Sequence, residues 1–293
     1  MPGKVWIEGQ IIDAEAARVP VFDRGFLYGD SVYEVTRTFG GRPLALAEHL
    51  DRLAGSAARI GMAMPERAEI ARATTNTIAA TGEPECYVRI VVTRGSGPIG
   101  LDPALSDGPR LLVMALPLRL PDEALYRDGI VVALVGARRN APGTVDPQVK
   151  SGNYLNSVLA VDEARKKGAY EALMCDAAGR LAEGSSSNLF VVRAGRLATP
   201  PLSVGLLEGI TRRHAMAAAR RIGIAADEVS LWPIDLLRAD EAFITSSVRG
   251  VLPVVRVVFE RPEGDAIGAG RPGAITKRVS AAYLDEARAS AAG

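Results

Sequence analysis

Cysteine and histidine are almost absent from this chain, and each scarcity closes off a class of chemistry. Its thiols are Cys86 and Cys175 and its imidazoles His49 and His214. Two cysteines this far apart have no metal-ligand spacing and cannot make a disulfide framework. They read as buried thiols of a cytoplasmic protein. Two histidines in helical contexts leave no material for a histidine-rich metal site or a Ser-His-Asp triad, so no metal is expected. Long apolar runs are missing too: none approaches the roughly 18–20 residues that cross a bilayer. The opening stretch, "MPGKVWIEGQ", lacks the basic-then-apolar layout of a secretion signal, so no membrane partner is expected. Nor is there an excess of one charge. Thirty-five basic side chains against 34 acidic ones give a formal +1, which argues against nucleic acid as a partner.

What is present suits a soluble globular chain of 293 residues, 48% hydrophobic and 24% charged, long enough for two domains. "KVWIEGQII" reads as a strand and turn, and "VYEVTRTFGGRPLAL" as a hairpin around Gly40-Gly41. Leu46, Leu50, Leu53, Ala57 and Ile60 recur at helical spacing up to Gly61, and a second helix is expected over residues 66–80. "ECYVRIVVTRG" and "RLLVMALPL" are strands split by a loop rich in Gly and Pro. Residues 1–118 therefore form a small α+β domain. "PLRLPDEALYRDG" has prolines and charges without strong periodicity, which places an inter-domain linker at 119–130. Residues 131–293 form a larger domain. There "IVVALVGARR" is a strand, Leu155, Val158 and Leu159 begin an amphipathic helix, and short strands alternate with glycine turns from Tyr170 onward. "GITRRHAMAAARRIG" is a helix stopping at Gly223, "DEAFITSSVRGVLPVVRVV" adds two strands, and the last residues, "ARASAAG", fray.

Five stretches could carry chemistry. Lys150 lies in "DPQVKSGNYLNSVLA", at a seam between a turn and an apolar helix; Gln148-Val149 reads as a short strand delivering it. Alone, it is either a surface lysine or an amine made nucleophilic by desolvation, able to form a Schiff base. Glu183, in "LAEGSSSNLF", is either part of a polar turn or a fixed carboxylate steered by hydroxyls. Such a carboxylate beside a pyridine nitrogen would hold that nitrogen protonated. In "LLEGITRR" a glycine precedes a helix start. The amides of Ile210 and Thr211 and the Thr211 hydroxyl suit a phosphate there, though many helices begin this way without a ligand. "ITSSVRG" is a donor-rich turn with Ser246 and Ser247, and Arg52 in "EHLDRL" reads by itself as a solvated helix arginine.

Taken together, "DRGFLYGDSVYE", "EHLDRL", "KSGNYLNSVLA", "EGSSSNLF", "GITR" and "TSS" stand in the order and spacing of class IV aminotransferases, and the chain resembles that family from Trp6 to Tyr283. These are the fold type IV pyridoxal-phosphate enzymes. The resemblance implies a small α+β domain followed by a larger pseudo-barrel domain, a homodimer, and pyridoxal 5′-phosphate as cofactor. It implies that Lys150 carries the cofactor as a Schiff base and moves the proton between the substrate Cα and the cofactor's C4′. Glu183 would pair with the pyridine nitrogen. Arg52, the amides of Ile210 and Thr211, and the hydroxyls of Ser246 and Ser247 would hold the phosphate. Leu207 would pack on the ring, and Tyr154 is a candidate donor to its 3′ oxygen. The Asn-Tyr pair lies one residue closer to the lysine than in branched-chain enzymes, which is the spacing of the D-amino-acid enzymes.

The same resemblance bears on substrates, an amino acid and a 2-oxo acid bound in turn. Tyr28, Tyr33, Tyr87 and Arg89 match branched-chain aminotransferases, where they lie beside a pocket that takes an aliphatic side chain or glutamate's distal carboxylate. The Ser247-Val248 turn would meet the α-carboxylate. "VTRGSG" is similar to the D-amino-acid enzymes, but Ile99-Gly100-Leu101 stands where those carry an Arg-x-His trap. A branched-chain L-amino-acid enzyme is therefore the leading expectation. A D-amino-acid transaminase, an aminodeoxychorismate lyase, an amine transaminase and a cofactor-binding protein without turnover remain alternatives. Arg249, in "SSVRGVLPV", is similar to the lyase branch and reads otherwise as a solvent-exposed loop arginine.

Overall fold

A computed structural model describes residues 2–140, 143–261 and 263–292. The chain divides into two compact units. One holds residues 2–119 with Val149–Asn153 and 287–292; the other holds Leu120–Gln148 and Tyr154–Glu286. The Lys150 stretch thus belongs with the N-terminal unit although it lies inside the 131–293 span expected of the larger domain.

The first unit contains β1 (Lys4–Ile7), β2 (Gln10–Asp13), α1 (Arg24–Tyr28), β3 (Ser31–Phe39), β4 (Arg42–Pro43), α2 (Leu46–Arg59), α3 (Arg67–Thr81), β5 (Cys86–Thr93) and β6 (Arg110–Pro117). Its strands form one antiparallel sheet in the order β2-β1-β6-β5-β3-β4. β3 and β4 pair Phe39 with Arg42 across Gly40 and Gly41, at φ of 56° and 79°. Two successive left-handed residues make a tight turn that only glycine adopts without cost. In β5 the alternation of "CYVRIVVT" buries Cys86, Val88, Ile90 and Val92. α2 and α3 cover that face with Leu50, Leu53, Ala57, Ile70, Ala73 and Ile78. Tyr87, Arg89 and Val91 are left on the opposite face, which is the one that matters for chemistry.

The second unit contains α4 (Glu123–Asp128), β7 (Ile130–Arg138), α5 (Leu155–Lys166), β8 (Glu171–Cys175), β9 (Leu181–Gly184), β10 (Asn188–Arg193), β11 (Arg196–Thr199), α6 (Ile210–Arg221), β12 (Ala226–Glu228), α7 (Pro233–Leu237), β13 (Glu241–Ser246), β14 (Gly250–Val258), β15 (Asp265–Ala266) and, as far as Glu286, α8 (Ala274–Ala292). Among the described residues β10, β13, β14, β7, β8 and β9 pair in sequence, and β9 returns to β10 through Glu183 opposite Asn188. The expected pseudo-barrel is therefore a closed ring of strands, and Glu183 sits at its closing seam. β8 and the first five residues of β10 are buried at every position, so after their polar first residues, Glu171 and Asn188, they read as continuous apolar runs rather than alternating ones. Phe190 and Phe243 stack across β10 and β13 at 4.8 Å between ring centroids.

Several expectations are corrected. The linker region folds as α4: the Asp122 side chain caps it by accepting from the Ala124 N–H, and Leu125 and Tyr126 pack on the core. Gln148 and Val149 form a turn, not a strand. In α5 the buried face is Ser157, Ala160 and Ala164, whereas Leu155, Val158 and Leu159 are exposed. Small residues let α5 lie close against Ala133 and Ala172, so the larger side chains turn outward. The C-terminal residues, expected to fray, continue α8 as far as Ala292; Gly293 lies outside the described residues.

β3 meets α2 through a buried charged cluster. Glu34, 1% exposed, accepts from Arg52 Nε on one oxygen and Nη2 on the other, each at 2.7 Å. The His49 Nδ1 lies 2.7 Å from the same carboxylate. Burial alone raises the Glu34 carboxyl, but Arg52 and then His49 reverse this and hold it at about 2. Burial lowers the His49 imidazole below its ordinary value of 6.5, opposed by Glu34 and helped by Arg52 and Lys150. With Glu34 ionised and His49 neutral, Nδ1–H donates to the carboxylate. Both folded values lie below the unfolded ones, so the unfolded chain binds more protons and stability falls with acidification. The His49 contribution is lost as pH drops below 6.5, and the Glu34 contribution between its ordinary 4.5 and about 2. His49→Gln keeps a donor without titrating. Urea midpoints of the wild type should decline between pH 7 and roughly 5, and the variant's should decline less; equal slopes would remove His49 from this account.

Candidate active site

In the first unit Lys150 is held by its main chain. Its N–H donates to the buried Ser56 Oγ at 3.1 Å, and its carbonyl accepts from the Tyr33 N–H at 2.9 Å. Ser151 bridges to Val32, the Gly152 N–H donates to the Ser31 carbonyl at 2.9 Å, and Asn153 Nδ2 donates to the Gly29 carbonyl at 3.2 Å. A Cβ at Gly152 would stand 2.3 Å from Ser31 Oγ, so the close approach requires glycine there. With the backbone fixed on both sides of Cα, only the side-chain torsions remain free. They carry Nζ to 4.5 Å from the centre of the Tyr33 ring. The Arg89 guanidinium carbon lies 3.9 Å from the same ring.

Tyr33, Arg89 and Tyr87 share one sheet face: Tyr33 is opposite Val91, Val35 opposite Arg89, and Arg37 opposite Tyr87. Glu34, His49 and Arg52 lie on the other face, with the Arg52 fork engaged by Glu34. Tyr28 closes α1; its Oη accepts from the Gly100 N–H at 3.1 Å, and Arg24 lies over its ring at 5.2 Å.

The second unit assembles a different set. Glu183 is buried, with Arg139 Nη2 at 2.9 Å from Oε1. Its Oε2 accepts from Asn188 Nδ2 at 3.1 Å and from the Leu207 N–H at 3.2 Å. Asn188 Nδ2 also donates to the Leu207 carbonyl at 3.0 Å, so Leu207 is fixed by both its backbone groups. Gly209 then caps α6 from an extended conformation, and Ile210 and Thr211 open the helix, both buried. A Cβ on Gly209 would stand 1.9 Å from Asn188 Oδ1, so glycine at this cap is what lets Asn188 reach Glu183. Ser246 ends β13 opposite Gly250, and Ser247, Val248 and Arg249 form the turn between them, closed by Gly250 at φ 64°. Tyr154 is the N-cap residue of α5.

Sequence reasoning missed Arg139 and Asn188, whose partners are far away or visible only once the ring closes. It also misread Arg249, whose side chain is 15% exposed and ion-paired with Glu171 at 3.0 Å. The readable signal was Glu171 itself, a charged residue opening an otherwise apolar strand.

These residues fit a pyridoxal phosphate. The first amides of α6 and the Ser246–Ser247 turn are donors of the kind a phosphate needs, and the adjacent buried Thr245 Oγ1 has no hydrogen-bond partner among the described residues. Glu183 is a held carboxylate suited to a ring nitrogen, and Lys150 a held amine suited to an aldehyde. Among the described residues no His/Cys/Asp/Glu group could hold a metal ion, and no helix is long and apolar enough to cross a membrane.

Known proteins are similar to this chain in sequence and fold. The amino-transferase class IV profile matches residues 31–257. A protein of Methanocaldococcus jannaschii, provisionally named a branched-chain-amino-acid aminotransferase, is 37% identical over 283 residues, 96% of each chain. The D-alanine aminotransferase of Bacillus licheniformis is 30% identical over 280 residues, 95% of each chain. The branched-chain amino acid aminotransferase of T.th., solved in complex with N-(5′-phosphopyridoxyl)-L-glutamate, superimposes with a TM-score of 0.89 at 29% identity, covering 99% of this chain and 95% of that one. A match that spans both units, on a chain holding a poised lysine and a seam carboxylate, has one reading: the chain belongs to the class IV aminotransferases and is a pyridoxal-phosphate-dependent enzyme of amino-group transfer.

Proposed function

We propose that the enzyme exchanges an amino group between branched-chain L-amino acids and glutamate through their 2-oxo acids, with Lys150 as the catalytic residue. The observation that carries this reading is the Tyr33 ring, with the Lys150 amine 4.5 Å and the Arg89 guanidinium 3.9 Å from its centre. An aromatic wall accepts an aliphatic side chain, and the Arg89 cation beside it can also meet a distal carboxylate. Tyr87 and Tyr28 extend the apolar side. The relative with a branched-chain name is more similar than the one with a D-alanine name, at 37% against 30% identity. Where a D-amino-acid enzyme would carry its trap, Ile99 and Leu101 are exposed apolar residues, which disfavours that alternative.

When bound, pyridoxal phosphate supplies an aldehyde carbon for the amine and a ring that takes up the electron pair left at Cα. Lys150 Nζ removes the Cα proton and returns it at C4′, its reach limited by the main-chain clamp. Glu183, with both oxygens already anchored, keeps the ring nitrogen protonated, since a fixed anion favours the charged form. Arg52, the amides of Ile210 and Thr211, and the hydroxyls of Ser246 and Ser247 hold the phosphate, and Leu207 packs on the ring. Tyr154 is the donor for the 3′ oxygen, and the Ser247-Val248 turn meets the substrate α-carboxylate.

The protein acts as a cytoplasmic homodimer. Val21, Phe22, Phe26, Ile99 and Leu101 in the first unit, and Leu155, Val158 and Leu159 in the second, are large apolar side chains left exposed. Such patches mark association surfaces. Two buried free cysteines suit a reducing compartment.

Lys150→Ala should abolish the visible absorbance of the protein-bound cofactor and lower kcat by roughly a thousandfold or more. Normal turnover in that variant would sink the assignment. In half-reactions L-leucine and L-glutamate should bleach the wild-type absorbance; bleaching by D-alanine alone would reverse the stereochemical reading. Arg89→Leu should raise KM for glutamate about tenfold and leave KM for leucine nearly unchanged. Equal effects on both substrates would move Arg89 out of the pocket. Phe26→Asp with Leu159→Asp should shift the wild-type dimer to monomer in sedimentation velocity; an unshifted dimer would exclude these patches.

A further inference from the structure

Glu171 opens β8 and is 2% exposed, yet nothing in amino-group transfer requires it. Its carboxylate collects donors from the whole Ser185–Ser187 turn. Oε1 accepts from the Ala172 N–H at 3.0 Å, the Ser185 N–H at 3.2 Å and the Ser185 hydroxyl. Oε2 accepts from Ser186 Oγ at 3.4 Å, Ser187 Oγ at 3.2 Å and Arg249 Nη1 at 3.0 Å. Arg249 then crosses to the β13–β14 turn. Its Nη2 donates to the Ser186 hydroxyl at 3.0 Å and carbonyl at 3.2 Å, and its Nε donates to Ser246 Oγ at 3.0 Å. The Arg249 backbone N–H points to the same Ser246 oxygen at 3.4 Å, and Tyr126 Oη donates to the Arg249 carbonyl at 2.9 Å.

Proton accounting at Ser246 gives this network a purpose. A hydroxyl has one O–H to donate and two lone pairs to accept with. Arg249 supplies N–H donors to both lone pairs, so the Ser246 proton must point elsewhere. A phosphate dianion accepts only, and a serine helps it only as a donor. We propose that Arg249, braced by Glu171, is a positioning residue that commits the Ser246 hydroxyl to donating toward the cofactor phosphate. This rests on the reading that the Ser246–Ser247 turn receives that phosphate. Because Glu171 neutralises Arg249, the pair supplies orientation rather than net charge. Lysine in place of Arg249 offers one point of charge and no fork, so it cannot reach Glu171, Ser186 and Ser246 together.

The test is the affinity of the apoenzyme for pyridoxal phosphate and for pyridoxal, which lacks the phosphate, in Arg249→Met, Arg249→Lys, Ser246→Ala, Glu171→Gln and the Arg249→Met/Ser246→Ala double variant. Arg249→Met and Ser246→Ala should each weaken pyridoxal phosphate binding about tenfold, the size of one lost charge-assisted hydrogen bond. The double variant should be no weaker than about twofold below Ser246→Ala, since coupled residues do not add. Arg249→Lys should recover only part of the loss, Glu171→Gln should show a smaller one, and pyridoxal affinity should not change. Equal loss for pyridoxal would mean a general structural role and overturn the proposal. Full additivity in the double variant would mean that Arg249 acts independently of Ser246, with the same consequence. If Ser246→Ala leaves pyridoxal phosphate affinity unchanged, the phosphate assignment itself fails. If only the Arg249 and Glu171 variants are silent, the assignment stands and the positioning role falls. Should Arg249→Met not fold, Arg249→Lys and Glu171→Gln carry the same comparison.

Discussion

The main-chain clamp on Lys150 is the constraint on which the rest depends. An amine serves as nucleophile and proton carrier only if its reach is defined, and a lysine has four side-chain torsions with which to lose that definition. The chain removes the backbone from the problem: the N–H goes to Ser56 and the carbonyl to Tyr33. Tyr33 therefore has two duties. Its backbone anchors the lysine, and its ring lies beneath the amine. β3 can do both because its alternation sends Tyr33 to one face and Glu34 to the other. The unit is built outward from that alternation, with α2 and α3 covering the Glu34 side and leaving the Tyr33 side for substrate.

Three buried carboxylates, Glu34, Glu171 and Glu183, follow one pattern. Each meets an arginine, Arg52, Arg249 and Arg139 respectively, and each takes its remaining hydrogen bonds from neutral donors. Removing two charges from water costs several kcal/mol per ion, and apolar replacements of such pairs are often no less stable. Stability is thus a poor reason for their presence; geometry is a better one. Glu34 binds β3 to α2, Glu171 binds two turns together, and Glu183 stands where the strand ring closes. Each holds a residue of the candidate site, or is one.

Local signals in the sequence were legible because local physics determines them. Gly40-Gly41 must turn a hairpin, Gly209 must precede a helix whose first amides are available, and the period of Leu46 to Ile60 must be a helix. Lys150 and Glu183 were each open to a surface reading alone, and it was the order and spacing of the motifs around them, similar to class IV aminotransferases, that singled them out. The arginine partners were not legible, since Arg139 and Arg249 reach their carboxylates only through the ring of strands, in the second case across 78 residues of chain. α5 was misread for a different reason. Apolar periodicity locates an apolar face but not whether that face is the inner one, and here three small residues won the contact with the sheet while the leucines were left outside.

Arg249 shows how the local and the non-local readings connect. As a letter in "SSVRG" it belongs to a three-residue turn, and turns are where arginines are normally solvated. What reverses that expectation is an acid at the head of β8, buried before any arginine is considered, because β8 is enclosed along its whole length. A carboxylate in that position needs a cation, and the turn after β13 is where the ring of strands brings one. Once Arg249 is drawn inward, its remaining donors must also be satisfied, and Ser186 and Ser246 are the acceptors within reach. The orientation of a hydroxyl in the candidate site thus follows from how a buried acid on a neighbouring strand is neutralised.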